Sequence, residues 1–204
     1  MSFDLSNIAV LTGDIVKSTA LSRDERDALF AGLRSGAAAV EALQGERPLF
    51  ERFSGDSWQM LTAPRFALRA SLLMRAFIRQ ESKAFETRVS VGIGAVEPLS
   101  PEGLGASDGP AFQASGRGLQ ALKGAQYFNI NTPDLTIFIL SDEISKRWTQ
   151  AQARVLAYAL MLPRPTQEAV AGKVGISQQS VRNHLTAAGE PALQAALADM
   201  ENSP

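Results

Sequence analysis

The segment Leu11-Thr-Gly-Asp14-Ile-Val-Lys-Ser-Thr19 lies between a predicted strand and a predicted helix. The apolar, β-branched run Ile8-Ala-Val-Leu11 leads into it and is typical of a buried strand. Ser22-Arg-Asp-Glu25 follows it with the S-x-x-E pattern of a helix capping box. Asp14 is therefore expected where a strand ends beside the free N–H groups of a helix start, a place that suits a metal ion held next to phosphate. A turn carboxylate that bonds its own backbone explains Asp14 equally well at this point.

A second segment, Phe50 to Leu61, has the pattern of two strands joined by the tight turn Ser54-Gly-Asp56. A hairpin tip that carries Asp56 can approach Asp14 if both strands belong to one sheet. Two carboxylates completed by nucleotide phosphates are a common way of holding Mg²⁺. The pair of segments predicts such a site, although neither segment alone does.

Taken in order, the phrases LTGDIVKST, FSGDSWQML, SVGIG and DGPAFQASGRGL resemble the motif order of class III nucleotidyl cyclase homology domains. They resemble small SatD-like bacterial proteins more closely still, over about residues 5–140. The resemblance implies a purine nucleotide bound with Mg²⁺ (or Mn²⁺). It also implies a homodimer in which the metal aspartates of one chain face the arginine-bearing helix of the other.

The resemblance also assigns roles residue by residue. Asp14 and Asp56 are the implied metal ligands, and Arg117 and Gln113 are the implied catalytic residues that stabilise the transition state and position the ribose. The implied nucleotide-binding residues are Ile15, through its carbonyl, then Val16, Lys17, Ser18 and Thr19 around the phosphates, and Arg52 at the base. Arg52 and Gln113 depart from the family pattern, which has lysine or glutamate and asparagine there. An ordinary exposed surface arginine is the alternative for Arg117.

The amino-acid composition limits which residues can act as metal ligands. The 204 residues are 45% hydrophobic and 20% charged, as in an ordinary globular protein, and the formal net charge is −1. The absence of cysteine excludes thiolate metal sites and disulfides and, with no apparent targeting segment, favours a cytoplasmic location. The single histidine, His184, excludes a histidine cluster. Carboxylates are thus the credible metal ligands, and no apolar run predicts a membrane span.

The pattern along the chain predicts the order β-α-β-β-α-β-α-β-β. Helices are expected from Ser22 to Leu43, after Pro64 and after Gly109-Pro110, and the last two strands at Tyr127 to Asn131 and Leu135 to Leu140. Alternation from Thr87 to Val96 places Gly92 and Gly94 on one face, where a helix or a nucleotide is expected to lie close. We predict an α+β fold with a ferredoxin-like, nucleotidyl cyclase-like, antiparallel-rich sheet and helices on one face.

The tail has a different pattern. The polar segment Ser141 to Lys146 is interpreted as a boundary between a nucleotide- and metal-binding domain (residues 1–141) and a small all-α domain (residues 147–204). From Thr166 to Leu185, small and apolar residues have helix-turn-helix spacing, with Gly175 at the turn. The residues predicted to face DNA are Ser177, Gln178, Gln179, Arg182 and Asn183. A trihelical dimerisation or partner-binding domain is the alternative, because the tail is only weakly positive.

Two functions compete at this stage. The first is a bacterial regulator whose Mg-nucleotide-binding, dimerising domain controls a DNA-binding helix-turn-helix. The second is an active purine nucleotidyl cyclase, which converts a nucleoside triphosphate into a cyclic monophosphate and pyrophosphate and uses its tail for interactions. The departures at Arg52 and Gln113 favour the regulator. A metal-free scaffold remains if Asp14 and Asp56 do not converge.

Overall fold

The structure, a computed structural model, describes residues 4–44 and 49–202, with only the backbone of residues 41–44. A five-stranded sheet with the order β2-β3-β1-β4-β5 forms its centre. The strands are β1 (Ile8–Ile15), β2 (Phe50–Ser54), β3 (Ser57–Thr62), β4 (Thr87–Gly94) and β5 (Phe128–Ile130). In the described residues, no helix is both long and apolar enough to cross a membrane.

The sheet confirms the predicted α+β class. Its first four strands are antiparallel neighbours, and they follow the chain order β1-α1-β2-β3-α2-β4 of a ferredoxin-like unit. β5 then adds to the free edge of β4 in parallel. This topology places the ends of β1 and of the β2–β3 hairpin next to each other.

Helices cover both faces of the sheet, and the expectation of one covered face was wrong. α1 (Arg23–Gln44) and α2 (Ala67–Arg79) pack against the face that carries Ala9 and Leu11. α3 (Pro110–Ala121) packs against the opposite face, where Ile8 and Val10 meet Ala111 and Phe112. Ile8 and Val10 on one face of β1 and Ala9 and Leu11 on the other are all buried, so this part of the strand is covered on both faces.

A close approach of α3 to β4 explains the glycine at position 92 of that strand. A Cβ built on Gly92 would clash with the carbonyl oxygen of Ala111 and would lie 2.6 Å from the amide nitrogen of Ser115. Ser115 lies against the sheet, with its hydroxyl 2.8 Å from that of Thr12. Of the two partners expected to approach this face, the helix is the one found at Gly92.

The predicted strand Leu135 to Leu140 is wrong, because this segment begins a helix, α4 (Leu135–Ser145). Its β-branched, apolar composition is typical of a strand. Thr132-Pro133-Asp134, expected as a hairpin turn, instead precedes the first helical turn, where the amide of Phe138 bonds the carbonyl of Asp134 at 3.1 Å. The buried side chains Phe138, Ser141, Asp142 and Ser145 follow helical spacing. Tertiary packing thus overrides local propensity here.

Helices continue through the tail. They are α5 (Gln150–Ala159), α6 (Gln167–Val174), α7 (Gln178–Ala187) and α8 (Glu190–Asn202). The segment Ser141 to Lys146, expected to be a polar boundary, forms the end of α4 and its C-cap, and Ser141, Asp142 and Ser145 are buried in it. The division at residues 141 and 147 stays a prediction.

Buried charges join α2, β4 and α4. The side chain of Arg75 is completely buried, and its guanidinium lies 3.0 Å from Glu86 and 2.8 Å from Asp142. Arg79 also reaches Glu86, at 2.9 Å. Burial lowers the pKa of Arg79, although the carboxylate of Glu86 opposes that change. We call Arg75, Arg79, Glu86 and Asp142 the buried charge network.

The same network contacts the start of the tail. Arg79 donates to the carbonyls of Lys146 at 2.6 Å and Trp148 at 3.0 Å. The buried indole N–H of Trp148 donates to the carbonyl of Ala188, between α7 and α8. Sheet, α2 and tail are therefore linked by a chain of buried hydrogen bonds.

Candidate functional site

Asp14 and Asp56 lie close together in the chain fold, where β1 ends beside the β2–β3 turn. Asp14 pairs with Ser57 in the register of β1 and β3, and Asp56 immediately precedes Ser57 in the hairpin turn. The amide of Ile15 donates to the carbonyl of Asp56 at 3.1 Å, which fixes the turn against the end of β1. The antiparallel pairing thus brings the main chains of Asp14 and Asp56 together at the end of a buried strand, and both carboxylates lie close enough to Arg88 to act on its charge.

Arg88 holds the carboxylate of Asp14. The two residues are directly opposite in the β1–β4 pair, and the guanidinium binds both carboxylate oxygens, with Nε at 2.8 Å from Oδ1. The hydrogen bonds that Arg88 donates to Asp14, together with the nearby negative charges of Asp14 and Asp56, raise the pKa of Arg88 above its ordinary value. The guanidinium of Arg88 therefore already neutralises part of the negative charge of the two carboxylates.

The segment after β1 turns sharply beside Asp56. Lys17 adopts the left-handed conformation, with φ 55°, and starts a short 3-10 helix, Ser18–Ala20. The hydroxyl of Ser18 donates to Asp56 at 2.5 Å. The amide of Val16 bonds the carbonyl of Glu86. Lys17 and Thr19 are exposed, so this loop presents a lysine and a hydroxyl to solvent close to the two aspartates.

The donor set at this site fits a hard divalent cation. The carboxylates of Asp14 and Asp56 and the main-chain carbonyl of Ile15, which the resemblance implies as a ligand, supply only oxygen donors. Mg²⁺ and Mn²⁺ prefer donors of this kind. Among residues 4–44 and 49–202, no group of three or more His, Cys, Asp or Glu is arranged to hold a metal. Asp14 and Asp56 would therefore need water or phosphate oxygens to complete the coordination. Arg88 would have to release at least one oxygen of Asp14.

Arg52 lies folded back on its own hairpin. Its Nε donates to the carbonyl of Gly55 at 2.7 Å, and its guanidinium stacks 4.1 Å from the centre of the Phe30 ring. The side chain is exposed beyond these contacts. The predicted role of Arg52 at a nucleotide base stays a prediction.

Gln113 and Arg117 lie on the solvent face of α3. Gln113 donates to Asp108 at 3.3 Å. Within the described part of the chain, no hydrogen bond or ion pair joins either residue to Asp14 or Asp56. Both residues on α3 are exposed, and neither is bonded to the two aspartates of its own chain.

The residues predicted to face DNA are grouped on one side of α7. Ser177 caps this helix, because its hydroxyl accepts the amide of Ser180 at 3.1 Å. Gln178, Gln179, Arg182 and Asn183 are all exposed. Gln179 donates to Asn183 at 3.1 Å, so these two amide groups form a pair along the helix. Gly175, in the left-handed conformation, ends α6 as predicted for the turn.

Arg88 is the site residue that sequence reasoning missed. It shares the polar face of β4 with Ser90 and Gly92, and that alternation was visible in the sequence. Its partner was not visible, because the register of β1 against β4 decides which residue faces Asp14. A polar face that begins with arginine on a buried strand is the signal that would have directed attention to it.

Comparisons with known proteins give a limited result. No protein-family model matches the chain, and no curated protein matches it. Among solved structures, the guanylyl cyclase Cya2 is similar with a TM-score of 0.45 and 16% identity, covering 67% of this chain and 78% of that one. The adenylyl cyclase CyaB from P. aeruginosa is similar with a TM-score of 0.38 and 16% identity, covering 58% of this chain and 73% of that one. At such values the function has to be argued from the residues of the site.

Proposed function

We propose that the chain is a bacterial regulatory protein in which a cyclase-like domain binds a purine nucleotide with Mg²⁺ or Mn²⁺ and controls a DNA-binding tail. The convergence of Asp14 and Asp56 carries this proposal. A pair of carboxylates at the end of a buried strand, beside an exposed lysine and hydroxyl, suits a metal bridged to phosphate. The bound cation would neutralise phosphate charge.

Arg88 is a cation within the proposed nucleotide site, because its guanidinium binds both oxygens of the Asp14 carboxylate. Asp14 and Asp56 would hold the metal ion, and the guanidinium of Arg88 beside them would pair with phosphate oxygens of the nucleotide. Lys17, exposed on the adjoining loop, would supply a second cation.

A homodimer would complete the site. In the described residues, no hydrogen bond or ion pair joins Arg117 or Gln113 to the aspartates of their own chain, and a second copy would present its α3 to them. Such an arrangement is two-fold symmetric and gives two equivalent sites. It would also hold two tails at a fixed distance, which raises the affinity of paired weak modules for DNA through effective concentration.

Replacing Asp56 with asparagine should abolish stabilisation by the metal–nucleotide complex. A ligand that binds only the folded state at roughly a hundred times its dissociation constant adds about 2.7 kcal/mol to the free energy of unfolding. We expect the wild-type melting temperature to rise with GTP or ATP plus Mn²⁺, and the Asp56→Asn variant to show no rise. Asp27→Asn, an exposed carboxylate on α1, is the matched control and should respond like wild type. Equal responses in all three proteins would reject the shared site.

The second candidate is an active purine nucleotidyl cyclase. The exposed Arg117 favours it, because an arginine free of ion pairs in the described chain can stabilise charge on a transferring phosphoryl group. Chromatography of the same incubations separates the two functions. A cyclic monophosphate with pyrophosphate would establish turnover, whereas unchanged nucleotide with thermal stabilisation would favour the regulator.

Replacing Arg182 with alanine should weaken binding to a duplex selected from a random pool. If Arg182 contacts a base edge, the loss should be roughly 1–3 kcal/mol on the selected site and small on unrelated DNA. Arg147→Ala removes another exposed arginine, just before α5, and serves as the control. Fluorescence anisotropy at several salt concentrations provides the measurement. A pool that shows no enrichment, with or without nucleotide, would make the tail a protein-interaction module.

A further inference from the structure

A pocket lies where the sheet domain meets the tail, lined by residues other than those of the site at Asp14 and Asp56. It has a volume of about 690 Å³. α1 contributes Ala38, α2 contributes Phe77, α5 contributes Tyr158, the following segment contributes Met161, and α6 contributes Val170 and Lys173. We call it the inter-helix pocket. Its volume falls within the roughly 300–1,000 Å³ typical of small-molecule sites.

The walls of the inter-helix pocket are mainly apolar. Small side chains on α1 leave room there, while Phe77 and Val170 form a buried floor. Binding of an apolar group in such a recess is favourable, because it removes apolar surface from water. A ligand there would contact α1 and α2 on one side and α5 and α6 on the other.

Lys173 gives the pocket its charge. Its Nζ lies 5.9 Å from the centre of the Tyr158 ring, so the ammonium group is held near the mouth by a cation–π contact. The described residues that line the pocket include no Asp or Glu. In the described part of the chain, no ion pair engages Lys173. A cation over an apolar recess, without an acidic partner, selects for an anionic group on the ligand.

We propose that the inter-helix pocket binds a small apolar monocarboxylate, with its hydrocarbon body against Phe77, Met161 and Val170 and its carboxylate at Lys173. This inference does not depend on nucleotide or DNA binding. A recess with one cation matches a molecule with one charged end and an apolar body. The position makes the bound acid part of the contact between the sheet domain and the tail.

Calorimetric titration of the full-length protein with three ten-carbon probes tests the proposal. Decanoate carries the carboxylate, decanol is neutral and decylamine carries the opposite charge, and all three are used below the concentration at which they form micelles. We expect decanoate to bind more tightly than decanol by roughly fivefold, as a half-exposed ion pair provides, and decylamine to bind least. Lys173→Gln should remove the preference for decanoate while leaving decanol binding unchanged. Lys123→Gln, an exposed lysine outside the pocket, should keep the preference.

Filling the pocket with a large side chain provides a second test of the proposal. Ala38 is an exposed residue at the rim, so Ala38→Trp should block all three probes without disturbing the core. Ala169→Trp, at an exposed lining position on α6, fills the same space from the other side if the first variant fails to fold. Equal binding of the three probes, or decanoate binding that survives these tryptophans, would overturn the proposal. Absence of decanoate binding to the wild-type protein would overturn it as well.

Discussion

Replacing Glu86 with glutamine should lower the free energy of unfolding by about 3–5 kcal/mol. The carboxylate of Glu86 lies 3.0 Å from Arg75 and 2.9 Å from Arg79, and it also accepts the amide of Thr87 at 3.1 Å. Glutamine has nearly the same shape but no charge. Arg75 would then keep Asp142 as its remaining carboxylate, and Arg79 would have lost its carboxylate partner in the network. Leaving a buried charge without its partner costs far more than losing a surface ion pair.

Urea unfolding, followed by circular dichroism, measures this effect. Glu81→Gln is the matched control, because Glu81 is exposed and lies only five positions away along the chain. Its free energy of unfolding should change by less than about 0.5 kcal/mol. If Glu86→Gln were as mild as this control, the buried network would have to be wet or mobile in solution.

Replacing Gly92 with alanine should destabilise the protein by about 3 kcal/mol, the upper end of the cost of overpacking. The new methyl group would meet main-chain atoms of Ala111 and Ser115 on α3, and a main-chain atom cannot rotate away as a side chain can. The helix would have to move off the sheet, which would also break the contact between Ser115 and Thr12.

Gly116, on the same helix, provides a control for which we expect the change in stability to have the opposite sign. A Cβ added to Gly116 meets nothing within 4 Å, so Gly116→Ala should stabilise the protein by up to about 1 kcal/mol through helix propensity. Thermal unfolding of both variants compares the two effects within one packing contact. Similar stabilities would show that α3 is not held tightly against β4.

Patterns within a few residues predicted much of the fold. The capping box of Ser22 and Glu25 predicted the start of α1, where the amide of Ser22 bonds the Glu25 carboxylate at 2.8 Å. The hairpin around Gly55 was predicted by its turn residues. Both features are decided by local backbone chemistry, so the sequence is sufficient for them.

The remaining features depend on contacts between distant segments. The segment Leu135 to Leu140 has the composition of a strand, and only its packing through Phe138 and Asp142 makes it a helix. The pairing of Arg88 with Asp14 follows from strand register across 74 positions of sequence. Neither the alternating pattern of β4 nor the motif around Asp14 predicts how the two strands are aligned.

The two tryptophans give each half of the molecule its own fluorescent reporter. Trp58, in the sheet, is completely buried and donates its indole N–H to Thr87 at 2.9 Å, and Trp148, at the start of the tail, is buried against Ala188. The whole chain has only these two. Emission from single-tryptophan variants, with phenylalanine at the other position, would therefore report the sheet and the tail separately. Coincident transitions would mean that the halves unfold as one cooperative unit, which the buried hydrogen bonds between them favour.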